Sequence, residues 1–378
     1  MVGRPSISIL MPTHSRTDVI GFAIESVLAQ SVEDFELLVV GDGCAPGTAE
    51  IVSGYRDQRI RFFDLPKAPF FGYANRNVAM REARGKYIGF AADDDLLFPD
   101  HLEILLKGLQ ASSALAYSQA LWVSTDGISA PFMTNLTADD ELATFMERRN
   151  SIPASCFLYR ADSLPVRDAW PEDVESAADW ILWRRIIREN PNQPIFYCRT
   201  PTVLHFSAKR MASRYAKMPE FATALDVADQ VTWWPAPLRV SVPDGKTEQD
   251  VYAGHMRADP EGWRQKIRGA TSDLIGRLAW EDIQTVRPYL AQVEEKLSAT
   301  YSELAESLDR ANLTISELGR AESEVLEAQN ANRILDGMLA AANEKIELQA
   351  RDIKAMRSTV AWRLSVLLKR VPSLLRRQ

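Results

Sequence analysis

Three consecutive aspartates, Asp93, Asp94 and Asp95, close an apolar run in this chain. Adjacent carboxylates at a strand end repel one another unless a positive charge sits among them. A hard divalent cation with oxygen ligands, Mg2+ or Mn2+ bridging to a substrate's phosphates, is the usual solution. The plainer reading of the triplet is a solvated turn whose acids cap the helix after Pro99. His205 follows another apolar run, PTVLHF. Its imidazole could complete a mixed oxygen and nitrogen shell around Mn2+, or simply pack at a strand end. Lys209 and Arg210, just beyond, carry the charge to close over a departing diphosphate. His14, His101 and His255 receive no chemical role.

These residues need a frame. Apolar runs at 6–11, 35–40, 60–63 and 86–91 read as strands, separated by helical patterns from Thr17, near 47–55 and over 74–83. Thr17 reads as a helix cap and Pro99 as the first residue of a helix. Alternating strands and helices imply an α/β fold with a mainly parallel sheet flanked by helices. In such sheets ligands bind beyond the carboxyl ends of the strands. Here those ends carry Pro12-Thr13-His14, Asp42 and the three aspartates. From 114 to 206 the pattern is mixed, with a helix at 177–188 and strands near 194–197 and 202–206. Residues 232–262, rich in Trp, Pro and Gly, read as an irregular connector.

The stretch from Ser6 to about Arg210 resembles the family 2 glycosyltransferases of the GT-A fold. The segments that carry the resemblance are SISILMPTHSR, ELLVVGDGCAPGT, GYANRNVAMREARGKYIGFAADDDLLFPDHLE and SAADWILWRRI, in the family's order and at similar spacings. The resemblance implies a Rossmann-like α/β domain that moves a sugar, with inversion, from a UDP- or GDP-sugar to a hydroxyl. Pro12, Thr13 and Arg16 match the loop that borders the nucleotide. Asp42 matches the acid that holds the base or ribose, an Asp-Gly turn being the alternative. Gly72 and Arg76 fall in the family's Gly…Ala-Arg-Asn segment, which places Arg76 near the diphosphate unless it is a surface ion-pair partner.

Ala92 stands where the family's common Asp-Ser-Asp-Asp spelling has its first acid. The natural register then gives Asp94 to the metal, Asp93 to the ribose or a metal-bound water, and Asp95 to the turn. A shifted register makes Asp93 and Asp95 the working pair. Asp94, Asp95 and His205 are thus the candidate metal donors. Asp179 matches the element that supplies the catalytic base, although Ala178 replaces the acid usual before it. Ser176 to Asp179 also reads as a capping box, and the helix dipole would keep a first-turn acid ionised. An ionised carboxylate is the form a general base requires.

Composition narrows the alternatives. The 378 residues suggest two or three structural units, and 46% hydrophobic with 25% charged residues is too apolar for a disordered chain. No run approaches the roughly 18 apolar residues of a membrane span. The opening MVGRPSISILMPTHSR breaks at Pro12 without a cleavage site, so no secretory signal is expected. Cys44, Cys156 and Cys198 are odd in number and far apart, which argues against a disulfide framework or structural zinc and fits a reducing cytoplasm. A net charge of −7 makes the body a poor nucleic-acid binder. Neither a GxxxxGK loop nor a GxSxG elbow occurs, which disfavours ATP hydrolysis and serine-hydrolase chemistry.

The last quarter has another character. From Leu290 to Val360 every seventh residue is apolar except Asn332, the signature of a long coiled-coil helix. The companion seam shifts near 318–321. Self-association is the expected use, with Asn332 fixing register; one helix folding back on the globular part is the alternative. From Arg351 to the end there are eight basic residues and one acid. With Trp362 and several leucines, the tail reads as an amphipathic helix for an anionic membrane surface, on the inner face of the cytoplasmic membrane, or for an acidic protein.

The expected organisation is a transferase domain over 1–235, a connector or helical segment over 236–288, a coiled coil over 289–357 and a basic tail over 358–378. The expected activity is metal-dependent sugar transfer to a glycan or lipid-linked acceptor, as in bacterial polysaccharide assembly. A non-catalytic scaffold, favoured by Ala92 and Ala178, is the runner-up. A nucleotidyltransferase would want a Gly-rich basic phosphate loop, and MPTHSR is not one.

Overall fold

The computed structural model describes residues 4–110, 112–164, 168–206, 219–318 and 325–368. In chain order the elements are β1 (Ile7–Thr13), α1 (Ile20–Leu28), β2 (Phe35–Asp42), α2 (Thr48–Gly54), β3 (Ile60–Leu65), α3 (Tyr73–Arg81), β4 (Tyr87–Phe90), β5 (Leu96–Leu97) and α4 (His101–Gln110). Then come β6 (Leu115–Val123), β7 (Ser129–Phe132), α5 (Asp139–Glu147), β8 (Phe157–Arg160), α6 (Ala178–Glu189) and β9 (Ile195–Phe206). Four helices complete the described chain: α7 (Pro219–Gln230), α8 (Glu248–Ala258), α9 (Pro260–Leu318) and α10 (Val325–Leu368).

The strands form one sheet in the order β3-β2-β1-β4-β8-β6-β9-β5, with β7 on the side of β6. β3, β2, β1 and β4 run parallel, as strand–helix alternation requires. Their sequences are near-continuous apolar runs because helices cover both faces; Ile9, Leu10, Met11 and Leu37 to Val40 have no exposed surface. Beyond β4 the sheet is mixed: β8 joins β4 and β6 antiparallel, whereas β6 and β9 are parallel. Glu36 is the polar exception in β2. Buried at 1% exposure, it accepts hydrogen bonds from Ser8 Oγ (2.7 Å), the Arg84 backbone N–H (2.7 Å) and the Arg84 and Arg61 guanidinium groups.

Several local expectations change. Thr17 does not cap α1; Val19 occupies that position without a side-chain bond. α4 begins at His101, two residues after Pro99. The two short strands expected near 194–197 and 202–206 are one strand, β9, bent by shifts in register against β6. Of the stretch 232–262 read as irregular, 248–258 forms α8 and Pro260 opens α9. No capping box opens α6: Ala177, with φ of +58°, precedes it and no side chain caps it.

The chain divides into two compact units, Met1–Leu274 and Ile275–Gln378. In the second, α9 and α10 pair antiparallel, with Arg357 Nη2 2.7 Å from Glu294 Oε1 and Leu304, Leu308 and Ala311 facing Leu335, Leu339 and Ala342 across a groove. The heptad residues therefore meet across a hairpin, and α9 ends at Leu318, where the seam was expected to shift. The tail beyond Leu368 lies outside the described residues. Among those described, no helix is long and apolar enough to cross a membrane.

Candidate functional site

Parallel strands end together, so the loops after β1, β2 and β4 share one rim. A cavity of about 360 Å3 opens there. Of the residues expected to bind a nucleotide-sugar, Pro12, Thr13, Arg16, Asp42, Gly72, Arg76 and Asp93 line it. Lys209 and Arg210 lie outside the described residues.

Asp42, at the end of β2, organises one wall. Its Oδ1 accepts from the Ala68 N–H (2.8 Å) and Asn75 Nδ2 (2.7 Å), and its Oδ2 from Lys67 Nζ (2.6 Å). Lys67 Nζ also donates to the carbonyls of Ala68 and Phe70, at 2.5 and 3.0 Å. This ties the loop between β3 and α3 to the sheet. Gly72 is needed at that point, since it has φ of +71° and a Cβ there would overlap the Asp42 carboxyl group.

Arg76, on α3, lies against two aromatic rings, with its guanidinium carbon 5.0 Å from the Tyr73 ring centre and 4.5 Å from that of Trp170. Nη2 donates to the Phe71 carbonyl at 3.2 Å, and Nε is buried without a partner among the described residues. Burial lowers the Arg76 pKa, opposed by Tyr73, Asp179, Asp42 and Asp93. A guanidinium that lines the cavity beside Asp42 and Asp93 gives it a positive group of the kind an anionic ligand needs.

The three aspartates separate into different environments. Asp94 pairs with Arg16, and its pKa is pushed up to about 7 by burial and by Asp95 and Asp93, against the pull of Arg16 and His205. Burial also raises Asp93, while Thr13 and Arg16 favour its charged form. Asp95 is 1% exposed. Ser155 Oγ donates to its Oδ2 at 2.6 Å, and His205 Nδ1 lies 2.9 Å from its Oδ1. Topology explains the second contact: β5 pairs with β9 so that Leu96 faces Leu204, which brings the preceding Asp95 to the following His205. Burial alone would strip the proton from His205. The Asp95 carboxylate bonded to it, with Asp94 and Asp179, more than offsets this and raises its pKa.

The expected metal set needs correction at this point. Among the described residues no three His, Cys, Asp or Glu side chains gather in a metal-holding group. Both oxygens of Asp95 accept hydrogen bonds, from Ser155 and His205, whereas Asp94 is engaged by Arg16. The residues that could still contribute to holding a divalent ion are Asp94 and His205, with ligand oxygens completing the shell. Asp95, bonded to His205 Nδ1, would then orient the imidazole from behind, as carboxylates do for metal-binding histidines. The excess of buried negative charge that raises Asp94 is what a cation would relieve.

Asp179 sits in the first turn of α6. Burial raises its pKa, while the Trp180 N–H, Arg76 and His205 hold it back. Asn150 Nδ2 lies 3.4 Å from its Oδ2. Sequence reasoning did not find Asn150 or Ser155, nor Gln249 of α8, whose Nε2 donates to the Asp94 carbonyl at 3.3 Å. Nothing in the spacing of these residues marks them, since each reaches the site through tertiary packing.

Residues 8–164 match the family model described as Glycosyl transferase family 2. An uncharacterised glycosyltransferase of Rickettsia conorii is 35% identical over 191 residues, which cover 49% of this chain and 30% of that protein. The Bacillus subtilis protein TuaG, described as a putative teichuronic acid biosynthesis glycosyltransferase, is 27% identical over 195 residues, covering 49% of this chain and 73% of that one. The chain spans less than a third of the length of the first curated relatives it matches. Among solved structures, S. aureus TarS 1–349 in complex with UDP-GlcNAc is similar with a TM-score of 0.44 and 21% identity, covering 59% of this chain and 65% of that one.

Proposed function

We propose that residues 8–164, which match the family model described as Glycosyl transferase family 2, form a glycosyltransferase domain that moves a sugar, with inversion, from a UDP- or GDP-sugar to a hydroxyl of a glycan or lipid-linked acceptor. The setting is bacterial surface-polysaccharide assembly, in keeping with the role named for TuaG. The observation that carries this reading is the cavity at the strand ends, lined by Arg76 and by Asp42 with its hydrogen-bond network together with Asp93, Arg16 and Thr13.

In this reading Arg76, on the cavity wall, binds the diphosphate, and Pro12, Thr13 and Asp93 border the nucleoside. Asp94 and His205 are the residues that would hold Mn2+ or Mg2+. When bound, such an ion supplies electrostatic stabilisation of the departing nucleoside diphosphate. Asp95 is a positioning residue for His205. Lys209 and Arg210 are assigned to the diphosphate from the sequence alone. Asp179 takes the proton from the attacking hydroxyl. Its raised pKa makes the carboxylate a better proton acceptor than an exposed aspartate, and Asn150 steadies the Oδ2 side. We further propose that the helical unit pairs with a second copy of the chain, and that the basic tail rests on an anionic membrane surface.

The test is release of nucleoside diphosphate from a panel of UDP- and GDP-sugars, with Mn2+ and with chelator, by the unaltered chain and by Asp179→Asn. Metal-dependent release that Asp179→Asn abolishes, with donor affinity retained, supports the assignment. A fully active Asp179→Asn removes Asp179 from the role, and a chain inert with every donor contradicts the enzymatic reading.

A further inference from the structure

The cavity has an outer wall that this chemistry does not use. Phe70 and Phe71 line it, yet they are 46% and 62% exposed. Large aromatic side chains that contribute nothing to a core need another reason to be there. Phe70 also has φ of +56°, a left-handed backbone that is costly for any residue with a Cβ. Such strain persists where the surroundings enforce it and tends to mark ligand-contacting positions.

The surroundings do enforce it. Lys67 Nζ bonds the Phe70 carbonyl at 3.0 Å while it is anchored to Asp42. The Phe71 carbonyl accepts from Arg76 at 3.2 Å. The Phe71 ring leans on Tyr73, with centroids 6.2 Å apart, and Tyr73 stacks on Trp170 at 6.1 Å. Two anchored cations and an aromatic ladder therefore hold an exposed pair of rings at the edge of a cavity whose lining also includes Pro12 and Val40. A flat, apolar-faced heterocycle fits a slot of this composition.

We propose that Phe70 and Phe71 form a stacking lip for the nucleobase of the donor. This rests on the nucleotide-sugar reading and adds to it the residues that grip the base. Lys67 and Gly72 serve the lip by fixing the loop, and Asp42 links the lip to the sheet. Stacking acts on the π-face, so the rings contribute affinity to a purine or a pyrimidine alike, and base choice is left to hydrogen-bonding groups.

The experiment is isothermal titration of the full chain with UDP and with GDP. It compares Phe70→Leu and Phe71→Leu, which keep apolar bulk but lose the ring, with Phe70→Tyr and Phe71→Tyr, which keep it. Expected is a loss of about 5-fold or more in affinity for each leucine variant toward the nucleotide the unaltered chain binds, and near-normal affinity for the tyrosine variants. Melting temperatures should stay unchanged because both side chains are exposed. Phe70→Gly supplies an independent readout, since relief of the left-handed strain should raise the melting temperature while affinity falls. Leucine variants that bind UDP or GDP as the unaltered chain does overturn the lip and leave the donor reading intact. Failure of the unaltered chain to bind either nucleotide overturns the donor reading, and the lip with it.

Discussion

Replacement of Gly72 by alanine isolates the contact on which the Asp42 wall of the cavity depends. A Cβ at this position would overlap three atoms of the Asp42 carboxyl group, the farthest at 2.7 Å. The backbone has φ of +71°, where an L-residue costs about 1–2 kcal/mol. Forcing a methyl into filled space costs a further 1–3 kcal/mol or so. The sum is a loss of about 2–5 kcal/mol, a large share of the roughly 5–15 kcal/mol that holds a domain folded. Gly47 is the control: its φ is +91°, but nothing lies within 4 Å of the same added atom. Gly47→Ala should therefore show only the backbone part. Denaturant unfolding measures both, and a double-mutant cycle with Asp42→Ala separates the steric share, because removing the carboxyl group makes room for the methyl. A coupling of about 1–3 kcal/mol is expected between positions 42 and 72. Equal losses for Gly72→Ala and Gly47→Ala, with additive behaviour in the cycle, would refute the packing argument.

Glu36→Gln should destabilise the first unit by about 2–3 kcal/mol at neutral pH, as expected for lost charged hydrogen bonds. Burial opposes ionisation of Glu36, but Arg84, Ser8 and Arg61 hold its pKa below the ordinary 4.5. Its contribution is thus present above about pH 4.5 and fades as pH falls through the lower folded value. Urea midpoints for the two proteins should converge in acid; a constant gap from pH 7 to 3 would contradict this. Ser155→Ala removes one of the two bonds to Asp95 and should weaken Mn2+ binding about 10-fold, read by electron paramagnetic resonance; unchanged affinity would detach Asp95 from the metal. Sedimentation with anionic liposomes should decrease when residues 358–378 are removed, and equal sedimentation would end the membrane proposal. Analytical ultracentrifugation should show a dimer or larger assembly that is lost when 289–357 is deleted, and a monomeric intact chain would end the self-association proposal.

The parallel half of the sheet was legible because its strands are short, mainly apolar runs with Pro, Gly or Asp residues at or near their ends. The mixed half was not, since β8 and β9 enter the sheet far from their chain neighbours and no local period shows which strand they join. The acids at the strand ends were legible as a group, and topology alone then separated them. Asp95 differs from Asp94 because β5 pairs with β9 and sets His205 beside it, a register that no spacing in DDD contains. Ala177 misled for a related reason. Ser176 to Asp179 has the letters of a capping box, yet the chain enters α6 through a left-handed residue and leaves the serine outside. In the second unit the sevenfold period was plain, whereas the antiparallel pairing of α9 with α10 is a long-range contact that no period records.

The enzymatic reading stands or falls on whether the rim of the parallel strands takes an activated sugar by its diphosphate, beside Arg76 and the Asp94–His205 pair. Crystals soaked with Mn2+ and a UDP- or GDP-sugar, measured at the manganese absorption edge, decide this. Expected is an anomalous peak contacting Asp94 and His205, with the diphosphate alongside Arg76. A donor bound elsewhere on the chain, or that rim closed by Arg16 on Asp94 with no manganese signal, would contradict it.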